Sequence, residues 1–472
     1  MTATVTAFVL TAGLVAHATE GRLMAGAPDR VFDTLSIDSR TIAPGALFVA
    51  LRGDRFDGHV FVTDALDRGA AGLLVSAAPA LVGSRGAAVI VVPDTLTALQ
   101  RLGREVRRRS GARVIAITGS AGKTTTKEVT AEFLAARYRV FRNAGNLNNH
   151  IGLPLSLVEL RHGPEVAVLE LGMNHPGEIR ALVRLTEPEV RVWTNAGDAH
   201  LGHFASREAV ADAKAEILEE ATPNALVVAN ADDALVMAHV DGWRGRRLTF
   251  GERDGADVRA TQVVDRGFDG TIAEVQTPAG DVHLSVPLAG RAQLANVLAA
   301  ATVAIDLGVP LSAIAARAAT LRPVARRGAM TTRSDGVRIV DDSYNASPAA
   351  VRAMLSALRA TPTTGRRVAV LGEMLELGAA ARDLHVACGL AAAADGVGEL
   401  VVIGGPAADG LAEGARAGGL DRAHIHRFAD SAGATDAVAR LVQPGDLVLI
   451  KGSRAVRTDL VADRLTQVGE VG

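Results

Sequence analysis

Apolar residues in this chain come in short unbroken runs separated by stretches with helical spacing. One run occupies residues 113–118 of "RVIAITG" and leads through "GSAGKTTTKE" into a helix reaching about residue 136. "EVAVLELG", "EVRVWTNAG", a helix near 206–220 and "ALVVANADD" follow. Apolar runs of roughly four to eight residues read as strands buried on both faces, and their alternation with helices predicts a mainly parallel sheet. After "RPVARRG", near Pro323, the pattern resumes with "VRIVDDSYNASP", "RRVAVLGEMLELG", "ELVVIGG" and "DLVLIKGSR". Residues 1–105 hold shorter strands and turns, among them "LSIDSRTIAPGALFVALRGDRFDGHVF" and "AGLLVS". The expected fold class is α/β in three domains: a small α/β domain over 1–105, a central mainly parallel domain over 106–322, and a second open, Rossmann-like α/β domain over 323–472.

Composition narrows this. A chain of 472 residues exceeds one ordinary core. With 50 Lys and Arg against 52 Asp and Glu, the net charge of -2 offers no global basic field for nucleic acid. The crowding at Arg101, Arg104 and Arg107 to Arg109 reads as a solvated helix face. A single cysteine, Cys388, excludes an intramolecular disulfide and suits a reducing compartment. The apolar "TAFVLTAGLVAHA" ends like a cleavage site but has no basic residue before Arg22, so it is expected to open a soluble domain with a helix. No segment reaches the ~18 apolar residues of a membrane span, and a cytoplasmic protein is expected.

The candidate chemistry lies just after the strands, where open α/β sheets take their ligands. "ITGSAGKTTTKE" resembles a phosphate-binding loop shortened by two residues, with Ile117 where the longer pattern has its first glycine. Gly119, Ser120, Gly122 and Thr125 would shape a nest of N–H groups for anionic oxygens at a helix start. Lys123 would offset β/γ-phosphate charge, and Thr124 would offer its hydroxyl to Mg²⁺. Glu170 ends the "VAVLE" strand and reads equally as a metal ligand or a solvated carboxylate. His200 ends another strand, and Lys214 sits among acidic neighbours on the following helix. "GNLNNHIGLP" is turn-rich, with Asn148 and Asn149 able to hold a substrate group. In the last block Asp342 could accept from a ribose hydroxyl or an amine, Tyr344 and Asn345 would shape its surroundings, and Lys451 and Arg454 would add positive charge.

Together these stretches resemble the Mur ligase family of ATP-dependent amide-forming enzymes. The resemblance covers nearly the whole chain, through "DSRTIAPGALFVALRGDRFDGH", "TGSAGKTTTK", "GNLNNHIGLP", "LELGMNHPGEI", "AHLGHF", "DDSYNASP", "LGEMLELG" with His385, and "KGSR". Within the family, "NLNN", "DDSYNASP" and "LGEMLELG" are similar to the branch that adds D-alanyl-D-alanine to a UDP-N-acetylmuramoyl-tripeptide. The resemblance implies a UDP-binding first domain with Ser39 and Arg40 near the ligand, and a central ATP domain in which Glu170, His200 and Thr124 serve two Mg²⁺. Lys214 matches the family lysine that takes up CO₂ as a carbamate, turning a cation into an anionic ligand. Lys123, His200 and Lys214 would form the catalytic group, and Asn296, Arg327 and Asp342 would contact the nucleotide. A monomer is implied. Two features depart from the pattern: "GRAQLANV" keeps Asn296 but has Ala292 and Gln293 at the usual polar pair, and Glu373 stands where Asp is common.

Overall fold

The computed structural model describes residues 7–53, 56–78, 86–198 and 202–467. The chain forms two compact units, one of Met1–Ile117, Arg137–Arg191 and Glu216–Ala225, the other of Thr118–Ala136, Val192–Ala215 and Leu226–Gly472.

In the first unit the apolar N-terminal stretch becomes the short strand Leu10–Thr11 and the helix Ala12–Thr19. Thr11 starts that helix by accepting from the Leu14 N–H at 3.2 Å, and Glu20 ends it in the left-handed region. A five-stranded sheet runs in the order Arg22–Ala25, Ala88–Val91, Gly72–Val75, Leu47–Val49, Leu35–Ser36. Only its Arg22–Ala25 edge is antiparallel. Further along, Val140–Arg142, Val166–Glu170 and Arg113–Thr118 lie side by side and parallel, with Glu170 opposite Ile117.

On the basic helix Thr95–Ser110, Arg101, Arg108 and Arg109 lie on the solvated face that its composition predicts, and Arg107 departs from it. Arg107 is buried and donates to the Thr186 carbonyl at 2.6 Å and to Glu189 at 2.8 Å. Arg104 and Arg108 share Glu187, and Arg101 reaches Glu20. Apart from Arg109, which pairs with Glu105 on the same helix, these arginines tie together elements distant in sequence.

In the second unit the helix Lys123–Leu134 packs on the helix Gly290–Asp306. Strands Leu226–Asn230 and Arg246–Gly251 pair in parallel, while Val258–Asp265, Thr271–Thr277 and Gly280–Val286 form an antiparallel ribbon with an irregularity between Thr261 and Val264. The C-terminal six-stranded sheet runs Ala329–Thr332, Arg338–Asp342, Leu447–Lys451, Arg367–Gly372, Glu399–Ile403, Ile425–Phe428, antiparallel only at its first strand. Alternate residues feed opposite faces: Val340, Leu371, Leu400 and Leu449 pack on one side, Ile339, Val370, Val401 and Ile450 on the other. A sheet covered on both faces leaves strand ends as the place for polar chemistry. Among the described residues no helix is long and apolar enough to cross a membrane.

Candidate active site

Gly119 has φ +153°, and a Cβ there would run into the Thr194 hydroxyl. The loop therefore lies directly on the segment 194–197. The Ser120 N–H donates to the Asn195 carbonyl at 3.1 Å, and the Ala121 N–H to Asn195 Oδ1 at 2.8 Å. Asn195 Nδ2 and Thr194 Oγ1 both donate to the Ala121 carbonyl, at 3.0 and 2.8 Å, and the Gly197 N–H donates to Ser120 Oγ at 2.8 Å. These bonds set the shape of the loop.

Gly122 caps the following helix at φ +79°, and a Cβ on it would strike Asn296 Oδ1. That amide accepts from Thr126 Oγ1 at 3.3 Å and donates to Gln293 Oε1 at 2.9 Å, so Asn296 braces the junction of loop and helix. The first intrahelical bond runs from the Thr126 N–H to the Gly122 carbonyl at 2.8 Å. The amides of Thr124 and Thr125 come ahead of it, at the positive helix end. Lys123 Nζ donates to the Gly119 carbonyl at 2.8 Å, which holds the ammonium over the loop.

Lys214, on the helix Arg207–Ala215, is 1% exposed. Burial pushes its ammonium well below the ordinary lysine range, and the charge of Lys123 pushes the same way. A lysine held toward its neutral amine is the nucleophilic form. His200 lies outside the described residues. Just before it, Asp198 is buried and receives Arg207 at 3.2 Å and Arg352, from the helix Pro348–Ala360, at 3.5 Å.

In the first unit Glu170 is 4% exposed at its strand end and accepts from Asn148 Nδ2 at 2.7 Å. Asn143, fully buried, accepts from the Glu170 N–H at 2.9 Å and so fixes the strand end. Asn149 Oδ1 accepts from the Gly152 N–H at 2.8 Å and the Ile151 N–H at 3.1 Å. Its acceptor oxygen is thereby engaged with the start of the helix Gly152–Val158. Ser39 is buried, while Arg40 is exposed and pairs with Asp38 at 2.8 Å; the Arg40 hydrogen bonds lower the Asp38 carboxyl to about 2.

Asp342 and Lys451 are 109 positions apart but directly opposite in adjacent parallel strands, and Lys451 Nζ donates to Asp342 Oδ2 at 2.5 Å. Lys451 also donates to the Asn345 carbonyl at 2.9 Å. Burial raises the Asp342 carboxyl and Lys451 opposes that rise. Beside the pair, the Arg327 guanidinium sits 4.0 Å and that of Arg454 5.3 Å from the centre of the Tyr344 ring. Glu373 Oε2 accepts from the Gly405 N–H at 2.5 Å. His385 is fully buried, accepts from the Met374 N–H at 2.9 Å and donates from Nδ1 to the Ala381 carbonyl at 2.6 Å, so it is neutral and holds the "LGEMLELG" turn. The bracing residues Thr194, Asn195, Asn143 and Asp198 escape motif reading; the "TNAG" that follows a strand was the available signal for Asn195.

The chain matches family models along most of its length: residues 32–107 match "Mur ligase family, catalytic domain", 117–304 "Mur ligase middle domain" and 326–454 "Mur ligase, glutamate ligase domain". It is 35% identical over 457 residues to the UDP-N-acetylmuramoyl-tripeptide--D-alanyl-D-alanine ligase of Escherichia coli, covering 93% of this chain and 95% of that protein. The chain belongs to the Mur ligase family. Among solved structures, a crystal structure of MurF from Acinetobacter baumannii aligns with a TM-score of 0.88 at 30% identity, covering 98% and 99% of the two chains. MurF ligase from Thermotoga maritima in complex with ADP aligns at 0.79 and 30% identity over 93% of this chain and 98% of that one. Mur ligases are ATP-dependent, amide-forming enzymes, and the braced Lys123 loop suits that nucleotide.

The donors for Mg²⁺ are partial. Thr124 and Glu170 supply hard oxygens, but no group of three or more His, Cys, Asp or Glu able to hold a metal occurs among the described residues. An unmodified lysine supplies no oxygen. Oxygen is the donor type that Mg²⁺ takes, and the bare Lys214 amine is not one.

Proposed function

We propose that this chain joins D-alanyl-D-alanine to the free carboxylate of a UDP-N-acetylmuramoyl-tripeptide at the expense of ATP, yielding the pentapeptide precursor of peptidoglycan. The observation that carries this reading is the match, along 93% of the chain, to ligases that bear that name. A carboxylate does not acylate an amine at neutral pH because oxide is a poor leaving group. Attack of one carboxylate oxygen on the γ-phosphorus of ATP expels ADP and gives an acyl phosphate. The dipeptide amine then attacks the acyl carbon and expels phosphate, losing a proton as the amide forms.

Lys123 would offset negative charge growing on the transferring phosphoryl oxygens, and the loop and first-turn amides would hold the phosphates in line. Ser120, Gly119, Gly122 and Thr125 complete that cradle. Asn296 acts through Gly122, as a positioning residue. Mg²⁺, when bound, offsets phosphate charge, with Thr124, Glu170, His200 and Lys214 as its proposed holders. Lys214 would hold it as a carbamate, for which its buried, proton-poor amine is chemically suited; uptake of ¹³C-labelled CO₂, absent from Lys214→Met, tests this. Arg327 and Asp342 would face the nucleotide, Ser39 and Arg40 the UDP end, and Asn148, Asn149, Tyr344, Asn345 and Lys451 the peptide and its acceptor. The division of labour follows residues 1–105, 106–322 and 323–472 for UDP substrate, ATP and ligation, in a monomeric cytoplasmic enzyme.

The test is ADP release across a small panel of UDP-muramoyl peptides and acceptor amines. Release that requires both a UDP-tripeptide and D-alanyl-D-alanine supports the reading; equal release without an acceptor would point to an ATPase.

A further inference from the structure

The ligase reading leaves one end of the acceptor without a partner. D-Alanyl-D-alanine brings an amine that reacts and a terminal carboxylate that must not, so productive binding requires a cation held away from the reacting carbon. The Arg454 guanidinium answers to that description. It follows Lys451 by three residues in a short 3₁₀ turn, Arg454–Val456, outside the carboxyl end of a parallel strand, where open α/β sheets take ligands. Ser453, just before it, is buried and accepts from the Leu375 N–H at 2.9 Å, which anchors the turn.

Among the described residues Arg454 forms no ion pair. Its Nη1 donates to the Tyr344 hydroxyl at a long 3.5 Å, and the guanidinium lies 5.3 Å from the centre of that ring. The ring is itself steadied by Arg327 at 4.0 Å, and its backbone N–H donates to the Arg326 carbonyl at 3.1 Å. A guanidinium resting on a fixed aromatic ring gives up little freedom on binding and keeps its planar fork for a carboxylate. Lys451 cannot take this part, because Asp342 and the Asn345 carbonyl already occupy it. We infer that Arg454, oriented by Tyr344, binds the terminal carboxylate of the acceptor dipeptide and so selects a free acid at that end. Arg327 on the same ring belongs to the nucleotide side, which would tie acceptor and phosphoryl donor to one rigid element.

The inference rests on the ligase reading, and the experiment separates the two. KM is measured for ATP, UDP-tripeptide, D-alanyl-D-alanine and its C-terminal carboxamide, with the unmodified enzyme, Arg454→Ala and Arg454→Lys. Loss of a charge-assisted, two-pronged contact predicts a KM for the dipeptide about 10- to 100-fold higher in Arg454→Ala, with part of the loss recovered in Arg454→Lys. KM for the other two substrates stays put. The carboxamide is equally poor for the unmodified enzyme and Arg454→Ala, because each lacks one half of the same contact. An unchanged dipeptide KM, or a rise confined to ATP or the UDP substrate, overturns the inference while leaving the ligase intact. Absence of any ligated product from the unmodified enzyme removes the ligase reading and the inference with it.

Discussion

Gly122→Ala tests whether the nucleotide loop is shaped from outside by Asn296. Two costs arise from the structure. At φ +79° the alanine occupies the left-handed region, at about 1–2 kcal/mol. The new methyl also claims the position of Asn296 Oδ1, so the amide must turn away and give up its bonds to Thr126 and Gln293, at about 0.5–1.5 kcal/mol each. The substitution should therefore cost about 2–5 kcal/mol, seen as lower stability, weaker ATP binding, or both. Asn296→Ala alone forfeits only the two bonds. In the double variant the collision is gone and the bonds are lost once, so the combined effect falls short of the sum by about 1–3 kcal/mol. The assay is denaturant unfolding of the four proteins together with ATP Kd for each. Strict additivity, or a neutral Gly122→Ala, would refute the bracing role.

Lys123→Ala should lower turnover at least ~10²-fold, the scale of losing one preorganised electrostatic donor, while the unfolding midpoint holds; near-normal turnover would remove Lys123 from the reaction. For Lys214 the folded state binds fewer protons than the unfolded chain between its lowered pKa and the ordinary 10.5, so stability rises with pH across that window. In CO₂-free buffer Lys214→Met should accordingly be inactive yet more stable at neutral pH, with the gap closing as pH climbs; a Lys214→Met protein less stable at every pH would contradict this. His385→Leu orphans the Met374 N–H, at about 1–3 kcal/mol, while the Ala381 carbonyl keeps its intrahelical donor, and ATP Kd is unchanged. Because burial lowers its pKa below 6.5, His385 also makes stability fall as pH drops below 6.5, and that slope should flatten in His385→Leu when unfolding is followed from neutral pH downward.

Strand and helix alternation was legible because the parallel strands are buried on both faces, so each appears as an unbroken apolar run with its polar residue at the end. That logic puts Glu170, Asp342 and Lys451 at strand ends, where they lie. The Asp342–Lys451 pairing was not legible, since it depends on the last strand inserting beside the Arg338–Asp342 strand, which no local pattern encodes. Composition makes Asn149 a substrate candidate without showing that its oxygen also starts a helix; a turn-forming and a ligand-binding asparagine look alike in sequence. Among the arginines of Thr95–Ser110, Arg107 departs from the solvated face for a related reason, because its partners at Glu187 and Glu189 lie some 80 positions away. Asn195 carries the loop through its backbone and side chain together; "TNAG" after a strand marks it as a polar strand-end residue without showing which loop it holds.

The central claim is that ATP activates the tripeptide carboxylate and is not simply hydrolysed. It is tested most directly with both oxygens of that carboxylate labelled as ¹⁸O. Ligation through an acyl phosphate leaves one label in the new amide and delivers the other to inorganic phosphate. Phosphate free of label, its fourth oxygen drawn from water, would contradict the account.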